Sequence, residues 1–149
     1  MSSYKMIVVG TDGSATSFLA VDRASALASD DGAELLIVTA YEPEPAEVVQ
    51  VAGEVLKEEA FLVVGSAPAE SVLRDAADRA RSGGASKVGT LAVQGMAVSV
   101  LKRAVADSGA DLLVVGNVGL NTLAGRILGS VPQSVARHSG VDCLIVHTT

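Results

Sequence analysis

Five apolar runs, separated by stretches of helical periodicity, constrain the fold more than any other feature of this sequence. The runs are YKMIVVG (4–10), AELLIVTAY (33–41), SKVGTLAV (86–93), ADLLVVG (110–116) and VDCLIVHT (141–148). Three of them are continuous rather than alternating, which is typical of parallel strands that are buried on both faces. Strands that alternate with helices predict an α/β fold, in which a parallel sheet carries helices on both faces.

Four helical segments are predicted between these strands. The first follows Ser14 as its cap, and the second occupies 66–85, with Ser66 as its cap and Gly83-Gly84 at its end. The third spans 96–108, and the fourth runs from about 130 to 139 and ends at Gly140. The stretch 42–65 resembles a short acidic helix followed by FLVV, which is too short to assign as strand or helix. We expect this stretch to cover the edge of a pocket.

Charge and cysteine content narrow the class of protein. The chain has 149 residues, which fits a single domain (1–149), and its net charge is −6 without a cluster of Lys or Arg. Nucleic acids and anionic membranes are therefore poor partners, since both require a basic patch. Cys143 is the one cysteine, no apolar run approaches the ~18 residues of a membrane span, and MSSYKMIVVG lacks the apolar segment of a signal peptide. We expect a cytoplasmic protein.

The segment GNVGLNTLAGRILGS (116–130) is the strongest candidate for a binding loop. Gly116 and Gly119 follow the fourth strand directly, and Gly129-Ser130 precede the last helix. Glycine lets a ligand approach the main chain closely, and a helix N-terminus offers unpaired N–H groups and a partial positive charge. These residues predict an anion site that needs no basic side chain, although glycines that only form a turn remain the alternative.

Two further strand ends contribute candidates at the same edge of the predicted sheet. Asp12 follows the first strand, where its carboxylate could accept hydrogen bonds from a ribose or help to hold a metal bound to phosphates. The main chain near Ala40, at the end of the second strand, could pair with the edge of a base. Parallel sheets bind ligands beyond the carboxyl ends of their strands, where strand order reverses. Asp12 could instead serve only as a turn or cap residue before Gly13-Ser14.

The spacing Gly116-x2-Gly119-x9-Gly129-Ser130 resembles the nucleotide motif of the universal stress protein family. The opening VVGTDGSATS, with Asp12 in its turn, and the closing GVDCLIVHT are also similar to that family, so the resemblance spans nearly the whole chain. It implies an open, doubly wound, five-stranded parallel sheet with strand order 3-2-1-4-5. It also implies a homodimer that pairs through the last strand, which as an apolar edge strand needs to be covered.

Members of the family with this motif bind ATP, and a smaller branch with similar VVGNVGL and IVHTT segments binds cyclic AMP. By position, the resemblance places Asp12 at the ribose or metal, the Ala40 main chain at the adenine, and the glycine loop along the ribose and phosphates. The complete set of candidate binding residues is Gly10, Thr11, Asp12, Ala40, Gly116, Val118, Gly119, Gly129, Ser130 and Val131.

Val118 departs from many ATP-binding members, which carry a basic or polar residue between the first two glycines. A valine cannot neutralise phosphate charge, so we expect cyclic AMP to be favoured, with ATP also possible and Mg²⁺ relevant only with ATP. No Walker-type phosphate loop, paired carboxylates, metal-ligand cluster or nucleophile–base pair is present. The sequence therefore predicts a non-catalytic nucleotide sensor or buffer. The alternatives are a slow Mg²⁺-dependent ATPase, or an interaction protein with an empty loop.

Overall fold

The structure is a computed structural model, and it describes residues 3–42, 63–64, 66–117, 134, 137 and 139–147. The described strands are β1 (Met6–Gly10), β2 (Glu34–Glu42), β3 (Val63–Val64), β4 (Lys87–Gln94), β5 (Leu112–Gly116) and β6 (Asp142–Val146). The described helices are α1 (Ala15–Asp31), α2 (Ser66–Ser82) and α3 (Ala97–Ser108). Within these ranges, no helix is both long and apolar enough to cross a membrane.

The five long strands form one parallel sheet in the order β4-β2-β1-β5-β6. Since β4, β5 and β6 are the third, fourth and fifth predicted strands, this is the predicted order 3-2-1-4-5, and the predicted fold class is confirmed. β1 lies in the centre, where Val8 is in register with Leu36 of β2 on one side and Leu113 of β5 on the other.

Alternate residues of the central strands pack into two separate cores, because successive side chains of a strand point to opposite faces of the sheet. Ile7 and Val9 join the core beneath α1 and α2, whereas Val8 joins the core beneath α3. All three side chains are fully buried. Burial on both faces explains why β1 is a continuous apolar run instead of an alternating one.

The helix boundaries agree with most of the predicted caps. Ser14 is the N-cap of α1, and its hydroxyl accepts a hydrogen bond from the Ser17 N–H at 3.1 Å. α2 ends before Gly83, whose N–H donates to the Arg79 carbonyl at 3.0 Å. The prediction of Ser66 as a cap is wrong, because Ser66 is the first residue of the helix itself. Of the predicted fourth helix, residues 134 and 137 are described and both are helical.

The FLVV motif is resolved in favour of a strand at its last two residues. β3 (Val63–Val64) runs parallel to the end of β2, with Val63 in register with Tyr41 and Val64 with Glu42. Periodicity could not separate strand from helix in four residues, and it is the pairing with β2 that decides between them. The acidic helix predicted upstream falls in 43–62, outside the described residues.

Candidate functional site

The carboxyl ends of β2, β1 and β5 meet at one edge of the sheet. The chain passes from β1 to β2 on one side, and later enters β5 on the opposite side of β1, so the strand order reverses between β1 and β5. In open parallel sheets this reversal leaves a crevice that binds ligands. Gly10, Ala40 and Gly116 lie at or near the ends of these three strands, which places three predicted site residues on adjacent strands.

The loop after β1 is held by a compact network of hydroxyl groups. The Thr11 N–H donates to the Val38 carbonyl of β2 at 3.0 Å, which continues the β1–β2 pairing into the loop. The Ser17 hydroxyl donates to the Ser14 carbonyl at 3.0 Å and lies 2.7 Å from the Thr11 hydroxyl. Since the Ser17 proton is used in the first bond, the Thr11 hydroxyl is the donor in the second. Thr11 is 1% exposed, and its hydroxyl contacts Ser17 beneath the loop, so a binding role for Thr11 stays a prediction.

Asp12 has one carboxylate oxygen in use and one without a partner. Oδ1 accepts a hydrogen bond from the Ser14 N–H at 2.9 Å, whereas Oδ2 is buried and has no hydrogen-bond partner among the described residues. The whole residue is only 7% exposed. Burial raises the pKa of the Asp12 carboxyl above its ordinary value, although hydrogen bonds from Ser14 act in the opposite direction.

A buried carboxylate oxygen without a donor is costly, since it has lost its water without a replacement. An ionised carboxylate only accepts hydrogen bonds, so the missing partner must be a donor or a cation. A ligand hydroxyl fits this requirement, whereas a phosphate oxygen placed there would be repelled. The geometry around Asp12 therefore suits the sugar end of a nucleotide better than its phosphate end.

The two glycines that flank this loop are needed for packing within the protein. A Cβ atom at Gly10 would lie 3.0 Å from Leu101 Cδ2 of α3, which shows that α3 packs directly on the end of β1. At Gly13, φ is +86° and a Cβ atom would lie 2.6 Å from Val72 Cγ2 of α2. These contacts explain the glycines without a ligand, and a binding role for Gly10 stays a prediction.

The edge of β2 near Ala40 is already paired with β3. The Tyr41 carbonyl accepts a hydrogen bond from the Gly95 N–H, directly beyond β4, at 2.9 Å. Because the peptide groups of a strand alternate between its two edges, those of Ala40 and Glu42 face the opposite edge, next to β1. The pairing of Tyr41 with Val63 therefore places β3 against these two peptide groups. A base that contacts the Ala40 carbonyl must share that oxygen with β3 or displace the strand.

Gly116 is the last residue of β5 and is in register with Val146 of β6. Its conformation is that of an ordinary strand residue, because it is not among the glycines with positive φ. The following residue, Asn117, is buried, and its N–H donates to the Val146 carbonyl at 2.8 Å. The other predicted loop residues, Val118, Gly119, Gly129, Ser130 and Val131, lie outside the described residues.

Two polar residues at this edge, Thr39 and Ser17, are not among the candidates predicted from the sequence. Thr39 is 1% exposed and its hydroxyl has no partner among the described residues, so it is the second buried polar side chain in this state. Ser17 links Thr11 to the first turn of α1, as described above. The sequence signal for Thr39 was its position inside the apolar run LLIVTAY. Burial of a hydroxyl in a strand core is unfavourable unless the hydroxyl finds a hydrogen-bond partner.

The described residues contain no group of three or more His, Cys, Asp or Glu side chains that could hold a metal ion. His147 follows β6 and is exposed. Cys143 is half-buried in β6, and burial raises the pKa of its thiol, which reduces its reactivity. Among the described residues, this edge of the sheet offers main-chain polar groups, the buried Asp12 carboxylate and the buried Thr39 hydroxyl.

Comparison with known proteins gives consistent results over the full chain. The model of the Universal stress protein family matches residues 3–147. The universal stress protein Rv1636 of Mycobacterium tuberculosis (strain ATCC 25618 / H37Rv) is 50% identical over 149 residues, which cover 100% of both chains.

Two solved structures are informative for the fold and the site. A crystal structure of a universal stress protein in complex with cAMP has 45% sequence identity and a TM-score of 0.77, and the match covers 99% of this chain and 100% of that one. The universal stress protein from Archaeoglobus fulgidus in complex with dAMP has 19% identity and a TM-score of 0.64, with 97% and 98% covered. The likeness to this second structure shows the shared fold alone.

Proposed function

The chain belongs to the universal stress protein family, and from this premise we propose that it binds an adenine nucleotide at the carboxyl ends of β1, β2 and β5. The observation that carries the proposal is the buried Oδ2 atom of Asp12, which has no partner among the described residues and lies at the point where strand order reverses. A ribose hydroxyl would supply the missing donor. The relative at 45% identity whose structure contains cAMP supports the same class of ligand.

Cyclic AMP is the ligand we favour over ATP, for reasons of charge. The described segments at the carboxyl ends of β1, β2, β4 and β5 are 10–14, 39–42, 94–96 and 116–117. None of these segments contains Lys or Arg, whereas Asp12 and Glu42 are acidic. The chain as a whole carries a net charge of −6. A cyclic monophosphate bears one negative charge, so it requires less compensation than a triphosphate, whose binding would depend on Mg²⁺.

We further propose that the protein acts as a sensor or buffer and does not turn over its ligand efficiently. Asp12 is the one buried carboxylate among the described residues, and the described His147 lies on a different strand end. General acid–base chemistry would require a second titratable group within hydrogen-bond reach of the reacting atoms. Single-turnover incubation with Mg²⁺-ATP tests this point, since a slow ATPase would release inorganic phosphate and a binding protein would not.

Isothermal titration calorimetry with cAMP and with Mg²⁺-ATP tests the binding proposal. For Asp12→Asn we expect affinity to fall about tenfold or more, because a hydrogen bond to a charged group contributes roughly 1.5–3 kcal/mol. Asp107→Asn is the matched control, since it removes an exposed carboxylate on α3 and should leave affinity unchanged. Tighter binding of ATP than of cAMP would refute the preference, and no binding of either would refute the function.

We also propose, as the family resemblance implies, a homodimer that pairs through β6. β6 lies at one edge of the sheet, and Cys143, Leu144 and Ile145 are only half-buried there. An apolar edge strand is a hazard unless another chain covers it. If a Leu144→Lys variant had the same distribution of oligomer sizes as the wild type in sedimentation equilibrium, this interface would be contradicted. The cytoplasmic location stays a prediction, which rests on the presence of a single cysteine in the sequence.

A further inference from the structure

β4 forms the opposite edge of the described sheet, and its only charged residue, Lys87, is the first residue of the strand. Its eight residues pair continuously with β2, so the strand contains no bulge, and it contains no proline. Among the described strands, β4 pairs with β2 alone. Gly89, Thr90 and Leu91 in its centre are exposed, and the large apolar side chain of Leu91 is 38% exposed. Natural proteins rarely leave a long, regular edge strand uncovered.

The direction of the β4 peptide groups follows from one hydrogen bond. The N–H of Gly95, directly after β4, donates to the Tyr41 carbonyl of β2. Since peptide groups alternate between the two edges of a strand, the odd-numbered residues of β4 also direct their N–H and carbonyl groups toward β2. The even-numbered residues, with Thr90 in the centre, therefore direct their N–H and carbonyl groups outward. These outward groups form a template for a further strand.

The two faces of the sheet beside this edge differ in character. On the α2 face, a cleft of about 270 Å³ is lined by Glu70, Leu73, Arg74, Ala77 and Arg81 of α2 and by Thr90 of β4. On the α3 face, Leu91 projects next to a groove of about 390 Å³ whose lining includes Met6, Leu36 and Gly89.

We propose that the β4 edge binds a second copy of this chain, in antiparallel orientation about a two-fold axis that passes through Thr90. In such an arrangement a contact between two residues occurs twice, once in each direction. Thr90 would face Thr90 of the second copy, and Leu91 would face Gly89 of the second copy. The exposed Leu91 side chain would then enter the groove next to Gly89, where the absence of a side chain leaves room for it.

Charge supports the same arrangement on the α2 face. Glu70 and Arg81 stand near opposite ends of α2, so an antiparallel copy of the helix places each glutamate opposite the arginine of the other chain. Arg81 already lies 3.6 Å from Asp78, but both side chains are largely exposed and this contact leaves Arg81 available to a second acid. Glu70 and Arg81 are therefore complementary across the two-fold axis, which favours a second copy over an unrelated partner.

The spacing of the two helices is also suitable. Paired strands lie about 4.8 Å apart. α2 packs above both β2 and β4, so the two copies of α2 would be separated by roughly 10 Å, which is within the usual range for packed helices. Two lining residues lie near the centre of α2: Ala77 is small, and Arg74 is exposed and long enough to turn toward solvent. The interface is distinct from β6 and does not depend on nucleotide binding.

Cross-linking tests the arrangement without interference from contacts elsewhere. In a Cys143→Ser background, Thr90→Cys would place two thiols at the two-fold axis, with Cα atoms about 5.5 Å apart, a distance that a disulfide spans. We expect mild oxidation to give disulfide-linked dimers of this variant. Arg103→Cys in the same background is the control, because this exposed residue of α3 lies away from β4. Equal yields from the two variants would overturn the proposal.

Charge reversal then tests the identity of the partner. In the Thr90→Cys background, Glu70→Arg or Arg81→Glu alone should reduce association about tenfold, measured as the protein concentration required for half-maximal cross-linking, since two symmetry-related pairs become repulsive. The double reversal should restore it to within about threefold. Both residues are exposed, so the fold should persist, which circular dichroism verifies. Unchanged cross-linking in the single variants, or no recovery in the double variant, would refute the proposed register.

Discussion

Replacement of Gly13 by alanine should reveal how tightly the loop that carries Asp12 is fixed against α2. At this glycine φ is +86°, and an added Cβ atom would lie 2.6 Å from Val72 Cγ2, a distance at which one of the two groups must move. Two costs therefore combine, one from the backbone conformation and one from the contact with α2.

The two costs can be estimated separately. A residue with a side chain in the left-handed region costs roughly 1–2 kcal/mol, and overpacking by one methyl group typically costs about 1–3 kcal/mol. We expect Gly13→Ala to lower the free energy of unfolding by about 3 kcal/mol. For a chain of this length that corresponds to a decrease in Tm of roughly 6–12 °C.

A double-mutant cycle, measured by denaturant unfolding, separates these terms. Val72→Ala should cost about 1 kcal/mol alone, because its side chain is only half-buried, but should recover about 1–3 kcal/mol in the Gly13→Ala background by removing the clash. Gly109→Ala is the matched control, since its φ is +71° and no atom lies within 4 Å of an added Cβ. It should show the backbone cost alone.

Two results would contradict this reasoning. If Gly13→Ala were no more destabilising than Gly109→Ala, the contact with Val72 would have no energetic consequence. If the cycle gave no coupling between Gly13 and Val72, the loss of stability would arise elsewhere in the loop.

Three further predictions follow from buried or hydrogen-bonded polar groups. Burial raises the pKa of Asp12 in the folded protein, so the stability that this residue contributes is complete below the unfolded pKa of about 3.9. That contribution is lost as pH rises through the folded pKa. Asp12→Asn should therefore stabilise the protein more at pH 7 than at pH 3, as measured by thermal unfolding. Ser25→Ala should cost about 1–3 kcal/mol in denaturant unfolding, because the buried Ser25 hydroxyl donates to the Ala80 carbonyl at 2.6 Å and joins α1 to α2. Burial of Asp111 favours its neutral form, but hydrogen bonds from main-chain N–H groups such as that of Met6 lower its pKa overall. The stability that Asp111 contributes is therefore lost as pH falls through the folded pKa. The destabilisation caused by Asp111→Asn should be smaller in acid than at neutral pH, as measured by thermal unfolding.

Much of the fold could be predicted because the relevant information is local. Continuous apolar runs identified the long strands to within a few residues, and cap residues such as Ser14 and the glycines after α2 marked helix ends. The strand order came from the family resemblance, since local patterns do not state which strands are neighbours. The position of Asp12 at the switch point follows from that order.

The sequence alone determined an alternation of buried strands and helices, an acidic chain without a basic patch, and a set of residues at the strand ends, because these depend on residue type and spacing. The tertiary structure decided what those residues contact. It assigned Gly10 to the packing of Leu101 and placed β3 against the edge of Ala40. It also showed that no described residue donates to Oδ2 of Asp12. It also placed β4 at an exposed edge of the sheet. Burial and pairing are properties of neighbours distant in sequence, and only the folded chain brings those neighbours together.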